Sequence, residues 1–325
     1  MRIAFCGKGG SGKTSIASLF IRYLVATGEQ VLAIDGDINQ HLSTAIGLNP
    51  EKVRSLPRIG QESSVLRDYV RGTNSRINPA HFIESTPAGR GSNFITLDGG
   101  DPVSEKFILR EGNLRFMAVG GHGDEDMGTT CYHKFTGAEG IFLNHLLDQE
   151  DEFVVGDKCA GADPFASSGL ASRYDAIYLV LEPTLKSLGV YEQAVQYAKP
   201  FGIRLFVIAN KITSADDLAF IVEKTGQKAL CAFGDLSVIR NLEKGRDYQM
   251  NDLDQGVFHN LKVMTETAKS LGSRDWSHYM TVGNQFHKRA GDGWASSKYG
   301  YDMLEQVDPD FHYEQVMPRS RKTAV

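Results

Sequence analysis

The sequence predicts an α/β fold: a mainly parallel sheet with helices on both faces, plus an irregular insertion and a C-terminal extension. Three observations lead there. Short runs rich in β-branched and aromatic residues recur along the chain. Segments with apolar residues at helical spacing separate them, and the first run passes straight into a glycine-rich loop that opens the first such segment. Near-continuous apolar strands alternating with helices mark a parallel sheet buried on both faces.

Taken in order, the expected strands are Arg2–Cys6, Gln30–Ile34, Leu114–Val119, Phe153–Val155, Ala176–Leu181, Arg204–Ala209 and Lys228–Ala232. The first helix, Thr14–Thr27, sets Ile16, Leu19, Phe20, Tyr23 and Leu24 on one face. Leu185–Lys199, Asp216–Lys224 and Val257–Leu271 read the same way. Residues 50–112 break the rhythm: rich in Arg, Ser, Gly and Pro, they read as an insertion with one helix near Ser64–Val70. From Gly272 the tail is polar and aromatic without a clear period, and too aromatic for disorder. The expected division is a core domain of residues 1–255, followed by a helix and extension, 256–325, packed on the core or binding a partner.

Composition excludes several classes. A chain of 325 residues that is 41% hydrophobic buries a sizeable core. A net charge of −5 argues against a nucleic-acid coat. No run approaches the ~20 apolar residues of a membrane span, and RIAFC is too short for a signal peptide, so a cytoplasmic location is expected. Four cysteines in this length do not form a disulfide framework. Cys6 and Cys231 sit in apolar runs and read as buried hydrophobes, whereas Cys131 and Cys159 lie among glycines and polar residues.

The loop Gly7-Lys8-Gly9-Gly10-Ser11-Gly12-Lys13-Thr14 satisfies G-x-x-x-x-G-K-[ST] between an expected strand and an expected helix. Its glycines let backbone N–H groups of Gly9 through Ser15 turn inward around a phosphate at a helix N-terminus. Lys13 would reach the β- and γ-phosphates, and the Thr14 hydroxyl would ligate Mg²⁺. ATP with Mg²⁺ is therefore the expected ligand. Lys8 lies too early for that role.

With Lys8 included, KGGSGKT resembles the deviant Walker A motif of the MinD/ParA/NifH class of P-loop ATPases. The resemblance covers most of residues 1–250 and implies an ATP-sandwich homodimer, with Lys8 acting on the partner's nucleotide. VLAIDGDINQHLSTAIGL is similar to the second strand and switch I of that class, which places Asp37 on the attacking water and near Mg²⁺; Ile38 stands where proline is usual. FVVGDKCAG resembles switch II, giving Asp157 a water-mediated hold on Mg²⁺ and Gly161 contact with the γ-phosphate. FVIANK implies adenine-side Asn210 and Lys211, and Asp235 falls in the base-contacting loop. Each of these acidic or amide residues alone would read as a cap or turn residue.

GHGDEDMGTTCYHKFTGAEG and LVLEPTLKSLGVYEQA resemble the CooC-like maturation factors of carbon monoxide dehydrogenase. In those, a Cys-x-Cys pair meets its symmetry mate and binds metal. Here Cys131-Tyr132-His133 stands in that place, so two subunits would offer a Cys₂His₂ set for Zn²⁺ or Ni²⁺ at a dimer interface. The same residues also read as ordinary positions at a helix start. His122, Asp124 and Asp126 read as further possible ligands or, as for most acidic turns, as a solvated one.

The function this implies is an ATP-hydrolysing dimeric switch that matures a client protein. The alternatives are a ParA/MinD-type positioning ATPase and an electron-transfer ATPase like the nitrogenase iron protein. The acidic balance speaks against DNA binding. The terminal QVMPRSRKTAV is not expected to form an amphipathic membrane anchor, because Pro318 would break a helix there.

Overall fold

The computed structural model of the chain describes residues 1–121, 132–166, 169–244 and 248–317. Its centre is an eight-stranded sheet: β1 (Arg2–Gly7), β2 (Gln30–Gly36), β3 (Leu109–Glu111), β4 (Leu114–Ala118), β5 (Glu152–Lys158), β6 (Ala176–Leu181), β7 (Leu205–Ala209) and β8 (Cys231–Ala232). The order is β3-β4-β2-β5-β1-β6-β7-β8. Every pair is parallel except β3 with β4.

Period-two alternation along β1 explains why both faces are covered. Ala4 and Cys6 join one core with Leu66 and Val70 of the insertion and Phe135, Ile141 and Phe142 of the His133–His145 helix. Ile3 and Phe5 join the other, with Leu19, Phe20 and Leu24 of the Lys13–Ala26 helix and Leu261 and Met264 of the Gln255–Ser270 helix. Burying a side chain such as Phe20 contributes about 1.5–3 kcal/mol.

Most strands shift at one end by a residue or two from expectation, and β5 and β8 shift by more. β5 continues past Val155 to Lys158, because its pairing with β2 runs on through Asp35↔Asp157 and Gly36↔Lys158. β8 shortens to two residues. The insertion is more regular than its composition suggests: besides Ser63–Arg71 it forms the helices Pro50–Ser55 and Pro102–Phe107 and the edge strand β3. Asn49 and Asp101 cap the two short helices, and each has proline in its first turn.

The tail folds against the insertion. Its Trp276–Ala290 helix starts from the Asp275 cap and buries Tyr279, Val282 and His287. His287 bridges Ser85 Oγ at 3.1 Å and the Met303 carbonyl at 2.9 Å, while Arg90 forks onto Asp308 at 2.8 and 2.9 Å. At the base of the sheet, buried Arg274 grips Asp148 and Asp175, and Arg2 shares Asp148. None of the described helices is long and apolar enough to cross a membrane.

Candidate functional site

The parallel strands deliver their C-terminal ends to one edge of the sheet, and the loops there hold the sequence motifs. In open α/β sheets that edge is where ligands bind. The glycine loop leaves β1 and feeds the Lys13–Ala26 helix, whose N-cap, Gly12, is left-handed at φ 91°. A Cβ there would lie 2.3 Å from Asn210 Nδ2, so only glycine lets the loop close on the end of β7. Asn210 secures that contact by donating to the Ser11 carbonyl at 2.8 Å. Gly9 and Gly10 form the outer curve, and Lys13 is almost wholly buried beneath it.

A cavity of about 600 Å³ opens over this loop. Gly10, Gly12, Lys13, Thr14 and Ser15 form one wall, and Asn210, Lys211, Thr213, Gly234, Asp235 and Leu236 form the other. The structure thus brings the glycine loop, the Asn-Lys pair and Asp235 around one volume. Lys211 adopts φ 59°, uncommon for a residue with a side chain, and its amine reaches the Gly10 carbonyl.

The acids gather beside Thr14. The Thr14 hydroxyl donates to Asp157 Oδ2 at 2.6 Å. Asp157 is fully buried, and its Oδ1 has no hydrogen-bond partner among the described residues. Burial pushes its carboxyl up to about 6, with the charge of Asp37 adding and the Thr14 and Lys13 contacts opposing. Asp37 is less enclosed, and its Oδ1 accepts from the Asn39 N–H and side chain at 2.9 and 2.8 Å.

Between these lies a residue the sequence reading passed over. Asp35 is the strand partner of Asp157 and is fully buried. It accepts from the N–H groups of Leu42, at 3.0 Å, and Asp37, at 3.4 Å, and so shapes the loop that carries Asp37. Burial and the neighbouring Asp157 push it up to about 8. An acid inside the apolar run VLAID looks like a strand end; only the register reveals its place.

Lys8 behaves differently from Lys13. It does not line the cavity; its amine sits 2.8 Å from Glu182 Oε1, just past β6. Glu182 Oε2 is 3.2 Å from Lys211 Nζ, so one carboxylate holds two lysines. Gly161 donates its N–H to the Gly7 carbonyl at 3.0 Å, which joins switch II to the glycine loop.

Behind switch II lies a second buried pair. Lys158 contacts Glu139 of the His133–His145 helix, which also accepts from Tyr174 Oη at 2.5 Å. The same helix region sends Tyr132 Oη to the Gly36 carbonyl at 2.9 Å, so both switch strands end against it. Cys159 donates to Asp163 at 3.8 Å, and burial pushes its thiol up to about 12. Cys131, His122, Asp124 and Asp126 lie outside the described residues, as does the side chain of His133. Among the described residues no group of three or more His, Cys, Asp and Glu forms a metal cluster.

A strand, a glycine loop closing on a helix, a buried lysine and a Thr–Asp pair define a P-loop ATPase of the MinD/ParA class. The chain belongs to the CobQ/CobB/MinD/ParA nucleotide binding domain family, whose model matches residues 3–272. It is 29% identical over 229 residues to the carbon monoxide dehydrogenase accessory protein CooC of Rhodospirillum rubrum, covering 70% of this chain and 80% of that one. It is 30% identical over 219 residues to an uncharacterized ATP-binding protein of Methanocaldococcus jannaschii, covering 66% and 77%. The cell division ATPase MinD of Pyrococcus furiosus shares the fold, with a TM-score of 0.52 at 17% identity over 83% of this chain and 99% of that one.

Proposed function

We propose that the chain is an ATP-driven, Mg²⁺-dependent homodimeric switch of the CooC-like maturation type, acting on a client protein in the cytoplasm. The observation that carries this reading is the division of labour between the two lysines. Lys13 is buried under the cavity it lines, whereas Lys8 stands at its margin on Glu182, outside that cavity. A second lysine turned away from its own site fits the deviant motif, in which it serves the partner's nucleotide. Such a charge arrives only when two subunits close, as an arginine finger does.

The residues fit Mg²⁺. Thr14 Oγ1 and the orphaned, buried Asp157 Oδ1 are hard oxygen donors, and a cation there offsets the cost of burying Asp35 and Asp157 side by side. Bound with ATP, Mg²⁺ supplies charge neutralisation at the β- and γ-phosphates. Lys13 and the inward N–H groups hold the phosphates, and Asn210, Lys211 and Asp235 face the base. Asp37 orients water, whose oxygen bonds to the γ-phosphorus as the bridging P–O bond to ADP breaks. Asp35 fixes the loop from which Asp37 acts.

CooC likeness supports the maturation role, and the metal-delivering form of this reading places Zn²⁺ or Ni²⁺ on Cys131 and His133 of two subunits. The test is Asp37→Ala. It should bind ATP normally, stop hydrolysis and accumulate an ATP-bound dimer, because Asp37 acts on water and not on the ground state. Wild-type turnover in the variant contradicts the assignment.

A further inference from the structure

The insertion holds a second polar cavity, of about 320 Å³, between the Ser63–Arg71 helix and the turn from Pro79 to Phe82. Arg67 and Arg71, one helical turn apart, both line it. Arg71 Nε donates to the Ile77 carbonyl at 2.8 Å, which anchors its fork. Arg67 is half-buried, and its Nε is enclosed without an acceptor. Among the described residues neither guanidinium has a carboxylate partner; Asp68, the acid on the cavity wall, is exposed and pairs with neither. Glu62, at the N-cap, makes no cap contact and is drawn off to Lys106 Nζ at 2.6 Å. The enclosed Arg67 Nε without an acceptor is a standing cost, and an anion held by the same guanidinium would offset it.

An aromatic shelf adjoins the cavity. Tyr299 lies 5.4 Å from the ring of His81, which sits in the turn from Pro79 to Phe82 on the cavity wall. Trp294 follows at 6.5 Å, 45% exposed on a π-helical turn, Gly291–Ala295. Lys298 sits over both rings, at 5.4 and 5.3 Å. The cavity also touches the nucleotide side. Gln61 on its wall donates to the Gly121 carbonyl at 3.1 Å, and a Cβ on Gly121 would meet Ile38 O at 3.0 Å, in the loop that follows Asp37.

We propose that this cavity and shelf receive an acidic peptide segment of a protein partner. A carboxylate would enter between Arg67 and Arg71, and an apolar neighbour would lie on Trp294 and Tyr299. The proposal rests on the reading that the chain acts on a client. Charge complementarity selects the occupant: paired guanidiniums match a carboxylate fork, and cation-flanked aromatic rings match an apolar residue beside it.

The test uses the full chain and a fluorescein-labelled peptide of alternating Glu and Leu, followed by anisotropy. Saturable binding is expected, weakened roughly ten- to a hundredfold in Arg67→Gln/Arg71→Gln and severalfold in Trp294→Ala. A Lys–Leu peptide should not bind. ATP titration of each variant shows that it is folded. Equal peptide affinity in the double arginine variant overturns the proposal. So does displacement of the peptide by inorganic phosphate at comparable concentration, which would make the cavity a small-anion site. Peptide binding without ATP-driven dimerisation would count against the switch and leave this site standing. Normal dimerisation without peptide binding does the reverse.

Discussion

If Lys8 serves the partner's nucleotide, it must first leave Glu182, and that step has a calculable cost. The pair is 2.8 Å apart, with the lysine side chain 29% exposed and the carboxylate 12% exposed. Burial alone would raise the Glu182 carboxyl, but hydrogen bonds from Lys8 and Lys211 outweigh it and hold the group below the usual range. A partly exposed ion pair of this kind is worth about 1 kcal/mol. Closing a symmetric dimer breaks two of them, or about 2 kcal/mol, so Glu182→Gln should tighten ATP-dependent dimerisation roughly thirtyfold. The assay is sedimentation equilibrium with a non-hydrolysable ATP analogue, beside calorimetry of ATP binding to separate any effect through Lys211. Unchanged or weaker dimerisation at normal ATP affinity would show that Glu182 does not restrain Lys8.

Two further outcomes follow from the buried charges. Lys158→Met strands the Glu139 carboxylate in the core and should cost about 3–5 kcal/mol in urea unfolding, whereas Lys158→Met with Glu139→Gln should recover most of it. Asp148 lies below the ordinary carboxylate range, since Arg2 and Arg274 outweigh the opposing effect of burial. A depressed folded-state value means this stabilisation is complete above the unfolded value near pH ~4 and is lost as pH falls below it. The tail should therefore stay docked at neutral pH and loosen as pH falls below ~4, read by the emission of Trp276, which stacks 4.6 Å from Arg274, in a Trp294→Phe background. Arg274→Ala should move that transition to higher pH.

The sheet and its glycine loop were legible because their signals are local. Apolar runs such as RIAFC and AIYLVL fill strands buried on both faces, and GKGGSGKT carries its conformation in its own glycines. β3 was not legible: Leu109–Glu111 is three residues with two charges, held by a hairpin that turns at Gly112, φ 62°. The tail helix hid its period because Gly283 and His287 occupy its buried face, where Arg173 packs too close to Gly283 for a side chain and Ser85 bonds His287. The caps Asn49-Pro50 and Asp101-Pro102 were readable signals in the insertion, masked by its arginine- and glycine-rich composition.

The site divides along the same line. Residues inside motifs, Lys13, Thr14, Asp157 and Asn210, stand around one cavity and its floor as their order along the strands implies. Asp35, Glu139 and Glu182 lie inside the quoted stretches, VLAIDGD, FTGAEG and LVLEP, yet nothing local gives them a role. Their importance comes from strand register and from partners far away in sequence, Asp157, Lys158 and Lys8. Long-range charge pairing leaves no periodicity to read.

The most direct test is light scattering of wild type and Lys8→Ala with a non-hydrolysable ATP analogue and Mg²⁺, alongside an ATP titration on the same proteins. A trans lysine adds little to a monomer's affinity, so the variant should bind ATP as wild type does. Its dimerisation should fall roughly ten- to a hundredfold, the range expected for loss of a charge-assisted contact. A variant that dimerises normally and loses only ATP affinity would place Lys8 in its own site and contradict the switch.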